Sequence, residues 1–151
     1  MRATRNGWHH WGLVALMALS PVWLAGCGPR APKTYPVTGK VVLKGGGKLK
    51  GLAVEFQSVT DPDVRALGDI NPDTGAFKMV SVLLNRGKEG VVEGEHRVRV
   101  FNPLNEKSKA VHPKFQRFET SEITVTVPTD KELVIEVLRG SGPGADAEPA
   151  H

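Results

Sequence analysis

The chain has 151 residues, of which 20 are Lys or Arg and 16 are Asp or Glu, so its formal net charge is +4 at pH 7. This length suits one domain and not two. Basic residues alternate with acidic and apolar ones and form no run, which excludes the electrostatic footprint of a nucleic-acid-binding protein. The single Cys excludes an internal disulfide, so an apolar core must stabilise the fold.

The N-terminal segment predicts export. Arg2 and Arg5 provide a positively charged start, and the stretch from 11 to 23 is apolar. That stretch fits the ~7–15 apolar residues of a signal peptide and is shorter than the ~20 that a membrane-spanning helix needs. We therefore expect a helical signal peptide over residues 1–26 that is removed from the mature protein.

A short motif, Leu24-Ala25-Gly26-Cys27, closes this segment and contains the only Cys of the chain. It resembles the lipobox of bacterial lipoproteins. The resemblance implies that signal peptidase II cuts between Gly26 and Cys27, and that Cys27 carries a diacylglycerol and a further fatty acyl chain such as palmitate. Two other roles for the Cys are an intermolecular disulfide and a buried free thiol. The linker-like residues 28–33 argue against the second.

An acylated Cys27 would make the membrane the first partner of the mature protein, because two acyl chains anchor stably where one binds only marginally. The cell envelope is the expected location. Gly28 stands where an Asp typically retains lipoproteins at the inner membrane, which favours the outer membrane or the periplasmic face over the cytoplasm. Removal of residues 1–26 leaves 18 basic and 16 acidic residues and takes away all three Trp.

Composition divides the mature chain into a tether at 27–34, a folded domain at 35–139 and a Gly/Pro/Ala-rich tail at 140–151 that we expect to be disordered. The domain contains many β-branched residues, and apolar and polar residues alternate in several of its segments. The predicted strands are 37–43, 52–56, 65–70, 76–83, 95–101, 122–127 and 132–138. Gly-rich or Asx-rich turns separate several of them, at 45–47 and 71–75. Short strands at roughly ten-residue intervals predict an all-β fold, a small antiparallel β-sandwich of about seven strands.

Alternation also assigns faces. In the second predicted strand Leu52, Val54 and Phe56 share one face, and Ala53 and Glu55 share the other. The later strands follow the same rule. The residues expected on the core side are His96, Val98, Val100, Ile123, Val125, Val127, Leu133, Ile135 and Val137.

Several segments resemble one family in their order along the chain. They are Tyr35-Pro36-Val37-Thr38-Gly39-Lys40-Val41 after a lipobox, a Gly-rich turn, Leu49 to Phe56, Asn71 to Phe77, Glu93 to Val100, Pro113-Lys114-Phe115, and Ile123 to Val137. Together they resemble small bacterial lipoproteins with a carboxypeptidase-regulatory-like, transthyretin-like (prealbumin-like) domain. The resemblance implies a transthyretin-like β-sandwich over 35–139. Two departures are His96, where the family has an aromatic residue, and Asp73-Thr74-Gly75, where it has Asp-Gly.

Two patterns could indicate chemistry. Asp69 to Gly75 carries oxygen ligands at alternating positions, as a calcium loop does. Gly falls at its seventh place instead of its sixth, and Val80 occupies the twelfth place instead of Glu, so we expect a plain turn. Leu138-Arg139-Gly140-Ser141 resembles the Tyr-Arg-Gly-Ser end of transthyretin-related hydrolases. Leu replaces the Tyr, and no matching His lies near the first strand, so this activity is a remote alternative.

No other arrangement predicts catalysis. His96 is expected at the rim of the core in an aromatic position, and His112 and His151 do not complete a metal set with it. No Ser/His/Asp spacing and no phosphate-binding loop occurs. We therefore expect no enzyme, no catalytic residue, no metal site and no cofactor.

The loop at 102–118 is the candidate binding region, because connecting loops on a rigid scaffold often carry function. Its candidate residues are Lys107, Lys109, Lys114, Phe115 and Arg117. A solvated loop whose Phe115 and Phe118 pack into the sandwich is the alternative.

The expected function is a membrane-anchored envelope lipoprotein whose non-catalytic β-sandwich is a structural or protein-interaction module. Its partner would be an envelope protein or a polysaccharide. The alternative is a carbohydrate or small-ligand binding module that uses the 102–118 loop, although the loss of all Trp with the signal argues against strong sugar stacking.

Overall fold

The computed structural model of the chain describes residues 32–83 and 86–140. Residues 1–26, the lipobox with Cys27, most of the tether and the tail from 141 onward lie outside the described residues, as does His151. The strands are β1 Thr34–Tyr35, β2 Thr38–Lys44, β3 Ala53–Ser58, β4 Arg65–Asp69, β5 Ala76–Lys78, β6 Val80–Leu83, β7 Arg86–Glu89, β8 Val91–Val92, β9 Gly94–Phe101, β10 Ile123–Val127 and β11 Leu133–Leu138. A 3-10 helix, Pro113–Gln116, and the helix α1, Phe118–Ser121, lie between β9 and β10. Neither helix has the length and apolar character needed to cross a bilayer.

The larger sheet has six strands in the order β10-β9-β3-β4-β6-β7, and every pairing in it is antiparallel. Its longest pairing joins β3 to β9, where Phe56 lies opposite Val98. β7 forms one edge and is exposed along its whole length. Its sequence, Arg-Gly-Lys-Glu, has no apolar alternation, which is why it was not among the predicted strands. Charged residues of this kind protect a sheet edge from pairing with other chains.

The smaller sheet has the order β11-β2-β5, and its pair β11 and β2 is parallel, with Leu133 opposite Gly39. The prediction of an antiparallel sandwich is therefore wrong for this pair and right for the other strand pairs of the described residues. A parallel pair needs a long connection, which the whole domain between β2 and β11 provides. Alternation is the same in both orientations, so the sequence pattern could not distinguish them.

The core lies between the two sheets, as a sandwich requires. The smaller sheet contributes Val41, Ile135 and Val137, and the larger sheet contributes Val54, Phe56, Val98 and Val100 among others. The inward faces predicted for the second, fifth and seventh strands are confirmed by this cluster, with Leu133 only partly buried. Ile123 and Val125 on the edge strand β10 are partly buried, and Val127 is buried.

The two predicted turns are confirmed. Gly45, Gly46 and Gly47 have φ angles of +95°, +72° and +116°, which glycine adopts at little cost. In the second turn Asn71 Oδ1 accepts hydrogen bonds from the backbone N–H groups of Asp73 and Thr74, each at 3.0 Å. The Asn71 side chain thus serves the turn itself.

Packing reaches slightly beyond both predicted ends of the domain. Thr34 pairs with Val92 in the small sheet of β1 and β8. At the other end, Arg139 forms a bridge with Val111, and Gly140 is buried against Lys109, whose carbonyl oxygen lies 2.1 Å from where a Cβ would stand. Gly140, placed by the sequence in the tail, therefore belongs to the domain.

Candidate functional site

The outer face of the larger sheet is covered by chain at its centre. Ala53 and Glu55 point away from the core, as alternation predicted, yet their exposed fractions are only 0% and 7%. The segment from 102 to 122, which we call the 102–122 segment, returns over this face. Its 3-10 helix and α1 both pack on β9. Buried Ser121 donates a hydrogen bond to the carbonyl of Val98 and ties the end of α1 to that strand.

Beneath this segment, Glu55 is shared by two arginines. Arg99 Nε donates to Glu55 Oε2 at 2.7 Å, and Arg65 Nη1 lies 3.3 Å from Glu55 Oε1. The Arg99 guanidinium lies against two aromatic rings, with its Cζ 4.1 Å from the centre of Phe101 and 4.8 Å from that of Phe118. These ion-pair and cation–π contacts fix Arg99 in one position. Two arginines and one carboxylate leave this group with a net charge of +1.

Next to Arg99 lies an open cleft of about 880 Å³ between β9 and the 102–122 segment. Its lining includes four of the five predicted loop residues, Lys107, Lys109, Lys114 and Arg117. Phe115 does not line the cleft, because its partly buried ring packs against the core. The structure thus brings the predicted cations together. Phe115 packs against the core, as the alternative for this loop expected. Phe118 is buried too, but its ring packs against Arg99 on the outer face of the larger sheet and not into the sandwich.

The cleft also contains residues that the sequence reasoning missed. Arg99 and Phe101 form part of its wall on β9, and Glu106, Glu119 and Glu122 add three carboxylates. The alternation of β9 placed Arg99 and Phe101 on the outward face and was the available signal. The sequence pattern did not indicate that the loop after β9 folds back over that face.

Charge is unevenly paired in the cleft. Lys114 Nζ forms an ion pair with Glu122 at 2.5 Å, and Arg99 is engaged by Glu55. Within residues 32–83 and 86–140, Lys107, Lys109 and Arg117 have no carboxylate partner within the 4.0 Å limit of an ion pair. Glu106 and Glu119 have no ion-pair partner among the described residues either. The lining holds five cations and three carboxylates, so the cleft carries a net charge of +2.

The backbone that carries these cations is held by its own side chains. Asn102 Oδ1 accepts from the N–H groups of Leu104 and Asn105, at 2.9 and 3.0 Å. Gln116 Nε2 donates to the carbonyl oxygens of Ser108 and Val111, at 2.8 and 2.6 Å. Such bonds lower the entropy lost on binding, because the loop is already ordered before a ligand arrives.

A smaller cleft of about 380 Å³ lies on the other side of Arg99 and Phe101. Leu67 and Val82 line it, and their exposed fractions are 37% and 54%. Glu55 and Arg65 also line this smaller cleft, and Arg99 and Phe101 line both clefts.

His96 lies away from both clefts, on the core side of β9. It is 1% exposed, Nε2 lies 2.8 Å from the carbonyl oxygen of Val92, and Nδ1 has no partner among the described residues. Its ring centre is 6.1 Å from that of Phe56. Burial lowers the pKa of His96 from its ordinary 6.5, and the hydrogen bond to Val92 opposes this only in part. The expected core position is therefore confirmed.

Acid should destabilise the fold through His96. The unfolded chain binds this proton with the ordinary pKa, and the folded chain binds it with a lowered pKa, so the stability is complete above pH 6.5 and is lost as the pH falls below it. We expect a lower unfolding free energy at pH 5.5 than at pH 7.5. His96→Phe should remove this slope in urea unfolding, and His112→Gln should keep it. An unchanged slope in His96→Phe would contradict the assignment.

Two sequence patterns remain, the possible metal ligands and Leu138-Arg139-Gly140-Ser141. In the described part of the chain, no three His, Cys, Asp or Glu side chains lie close enough to hold a metal ion. Leu138 ends β11 and Gly140 is packed against Lys109, whereas Ser141 lies outside the described residues.

No protein-family model, curated protein or solved structure matches the chain.

Proposed function

We propose that the chain is a lipid-anchored protein of the bacterial cell envelope, and that its sandwich is a non-catalytic interaction module of the transthyretin-like type. The anchor rests on the sequence Leu24-Ala25-Gly26-Cys27 after a short apolar segment. The interaction role rests on one observation, the cleft beside Arg99 in which three exposed cations have no ion-pair partner among the described residues. An envelope protein or a polysaccharide would dock there.

The length of the tether supports a role close to the membrane. Six residues, 28–33, separate Cys27 from Thr34, where β1 begins, so the chain makes seven Cα-to-Cα steps between them. A fully extended chain spans about 3.3–3.6 Å per residue, so β1 starts at most about 25 Å from an acylated Cys27. The start of the domain would therefore stay close to the membrane surface.

A carbohydrate or small ligand is the second candidate for the same cleft. The cleft volume of about 880 Å³ favours it, because ligand pockets commonly have about 300–1,000 Å³. The loss of Trp with the signal leaves Phe101 as the aromatic residue of this cleft for contact with a sugar ring.

Membrane partition and cross-linking test the proposal. The native protein should lack residues 1–26, gain the mass of the lipid and enter the detergent phase, while Cys27→Ala should carry no lipid. A photo-cross-linking residue in place of Lys109 should capture an envelope component in intact cells. The same residue in place of Lys40, which is exposed on β2 of the smaller sheet, should not.

Two outcomes would contradict it. An unlipidated native protein that retains Trp8, Trp11 and Trp23 would disprove the anchor. Equal cross-linking from positions 109 and 40, or none from either, would disprove a docking role for the cleft.

A further inference from the structure

We propose that the basic cleft binds a segment of an acidic polysaccharide, a sugar chain that carries carboxylates. This inference rests on the proposed docking role of the cleft and adds the chemical class of the ligand. It is based on the charge of the cleft, the fixed position of Arg99 and the polar groups of the lining.

Charge selects an anionic ligand. Lys107, Lys109 and Arg117 are exposed and have no ion-pair partner in the part of the chain that the structure describes. Arg99 adds to them, because its group with Glu55 and Arg65 retains a net positive charge. Ligand carboxylates would neutralise these cations without displacing an existing ion pair.

The Arg99 guanidinium is prepared for such a ligand. Glu55 binds its Nε and Nη2, and the rings of Phe101 and Phe118 lie against the guanidinium. Nη1 donates to the carbonyl oxygen of Gln116 at 3.5 Å. Of the five N–H groups of the guanidinium, one on each Nη atom therefore remains for a ligand carboxylate. Because Arg99 is already held in place, little side-chain entropy is lost when it contacts a ligand. Glu55 is thus a positioning residue for Arg99.

The acidic residues of the lining favour a glycan over an acidic peptide. Glu106, Glu119 and Glu122 share the cleft with the cations. Repulsion from these carboxylates acts on any polyanion and does not distinguish the two ligands, whereas hydroxyl groups do. A sugar acid presents hydroxyl groups between its carboxylates, and Glu106 and Glu119 can accept hydrogen bonds from hydroxyls. Phe101 supplies an apolar surface for the C–H face of a sugar ring.

Binding of polygalacturonate oligomers to the purified full-length chain in detergent micelles tests the inference. We expect binding at low ionic strength that weakens as salt rises. Lys107→Gln with Lys109→Gln should weaken it about tenfold, since each exposed charge pair contributes a few-fold in affinity. Lys40→Gln with Lys131→Gln makes the same charge change outside the cleft and should leave the affinity unchanged. All four side chains are exposed, so the variants should keep the melting temperature of the native chain.

Dextran and poly-glutamate separate the outcomes. Equal binding of neutral dextran would overturn the requirement for charge, and equal binding of poly-glutamate would overturn the glycan in favour of an acidic protein. No binding of polygalacturonate, or an equal loss in both double variants, would overturn the inference as well. Cross-linking from position 109 would persist in each of these cases if the docking role is correct, so the two failures are distinguishable.

Discussion

Glu55→Ala is expected to lower the free energy of unfolding by about 3 kcal/mol. Glu55 is 7% exposed and lies between Arg65 and Arg99. Its removal leaves two cations facing each other, and the Arg99 side chain, 22% exposed, cannot recover full hydration. The expected loss is at the lower end of the ~3–5 kcal/mol seen when a buried pair loses one partner, because Arg65 is 46% exposed and water screens it.

Thermal and urea unfolding measure this effect, which corresponds to a melting temperature lower by roughly 10–20 °C. Glu55→Gln keeps the size and most of the hydrogen bonding, so it isolates the charge and should cost less. Glu136→Ala is the matched control. Its ion pair with Lys44 has side chains 54% and 57% exposed, and such pairs contribute at most about 1 kcal/mol. Equal losses in Glu55→Ala and Glu136→Ala would show that the Glu55 group contributes no more than a surface ion pair.

Phe56→Ala should be more damaging still, at about 3–5 kcal/mol. Phe56 is 0% exposed in the middle of β3, where it packs into the core between the sheets. The substitution removes the whole ring and leaves a cavity between the sheets that the surrounding side chains fill only in part.

Equilibrium urea unfolding with an unchanged m-value would report this loss as one of stability alone. Leu104→Ala is the control for truncation of an apolar side chain, since Leu104 is 93% exposed and should change stability by less than about 0.5 kcal/mol. A Phe56→Ala cost similar to that of Leu104→Ala would mean that the two sheets do not enclose a tight core at β3.

Phe56 and Glu55 are neighbours on β3. The local sequence predicted the face of each side chain but not the burial of Glu55. Alternation placed Phe56 on the core face of β3 and Glu55 on the opposite face, and both placements are correct. An outward Glu would ordinarily be solvated. Glu55 is buried because the 102–122 segment covers it, and the local pattern of β3 carries no information about a segment some fifty residues away.

The same limit applies to the cleft. The sequence identified Lys107, Lys109, Lys114 and Arg117 as one basic region because they are close along the chain. Arg99 joins them only through the return of the chain over β9. Phe115 alternates with the cations in sequence, and a ring among polar loop residues can equally bind a ligand or pack inward. Here the apolar core beside it decides the question.

The chain's local chemistry by itself determined the all-β class, the inward faces of the main strands and the Gly and Asn turns, since each depends on neighbours within a few residues. Tertiary structure decided the parallel pairing of β2 with β11, the burial of Glu55 and the assembly of the basic cleft. These features join residues that are distant in sequence. Their formation depends on the total burial and hydrogen bonding of the folded state, which no short window of sequence contains.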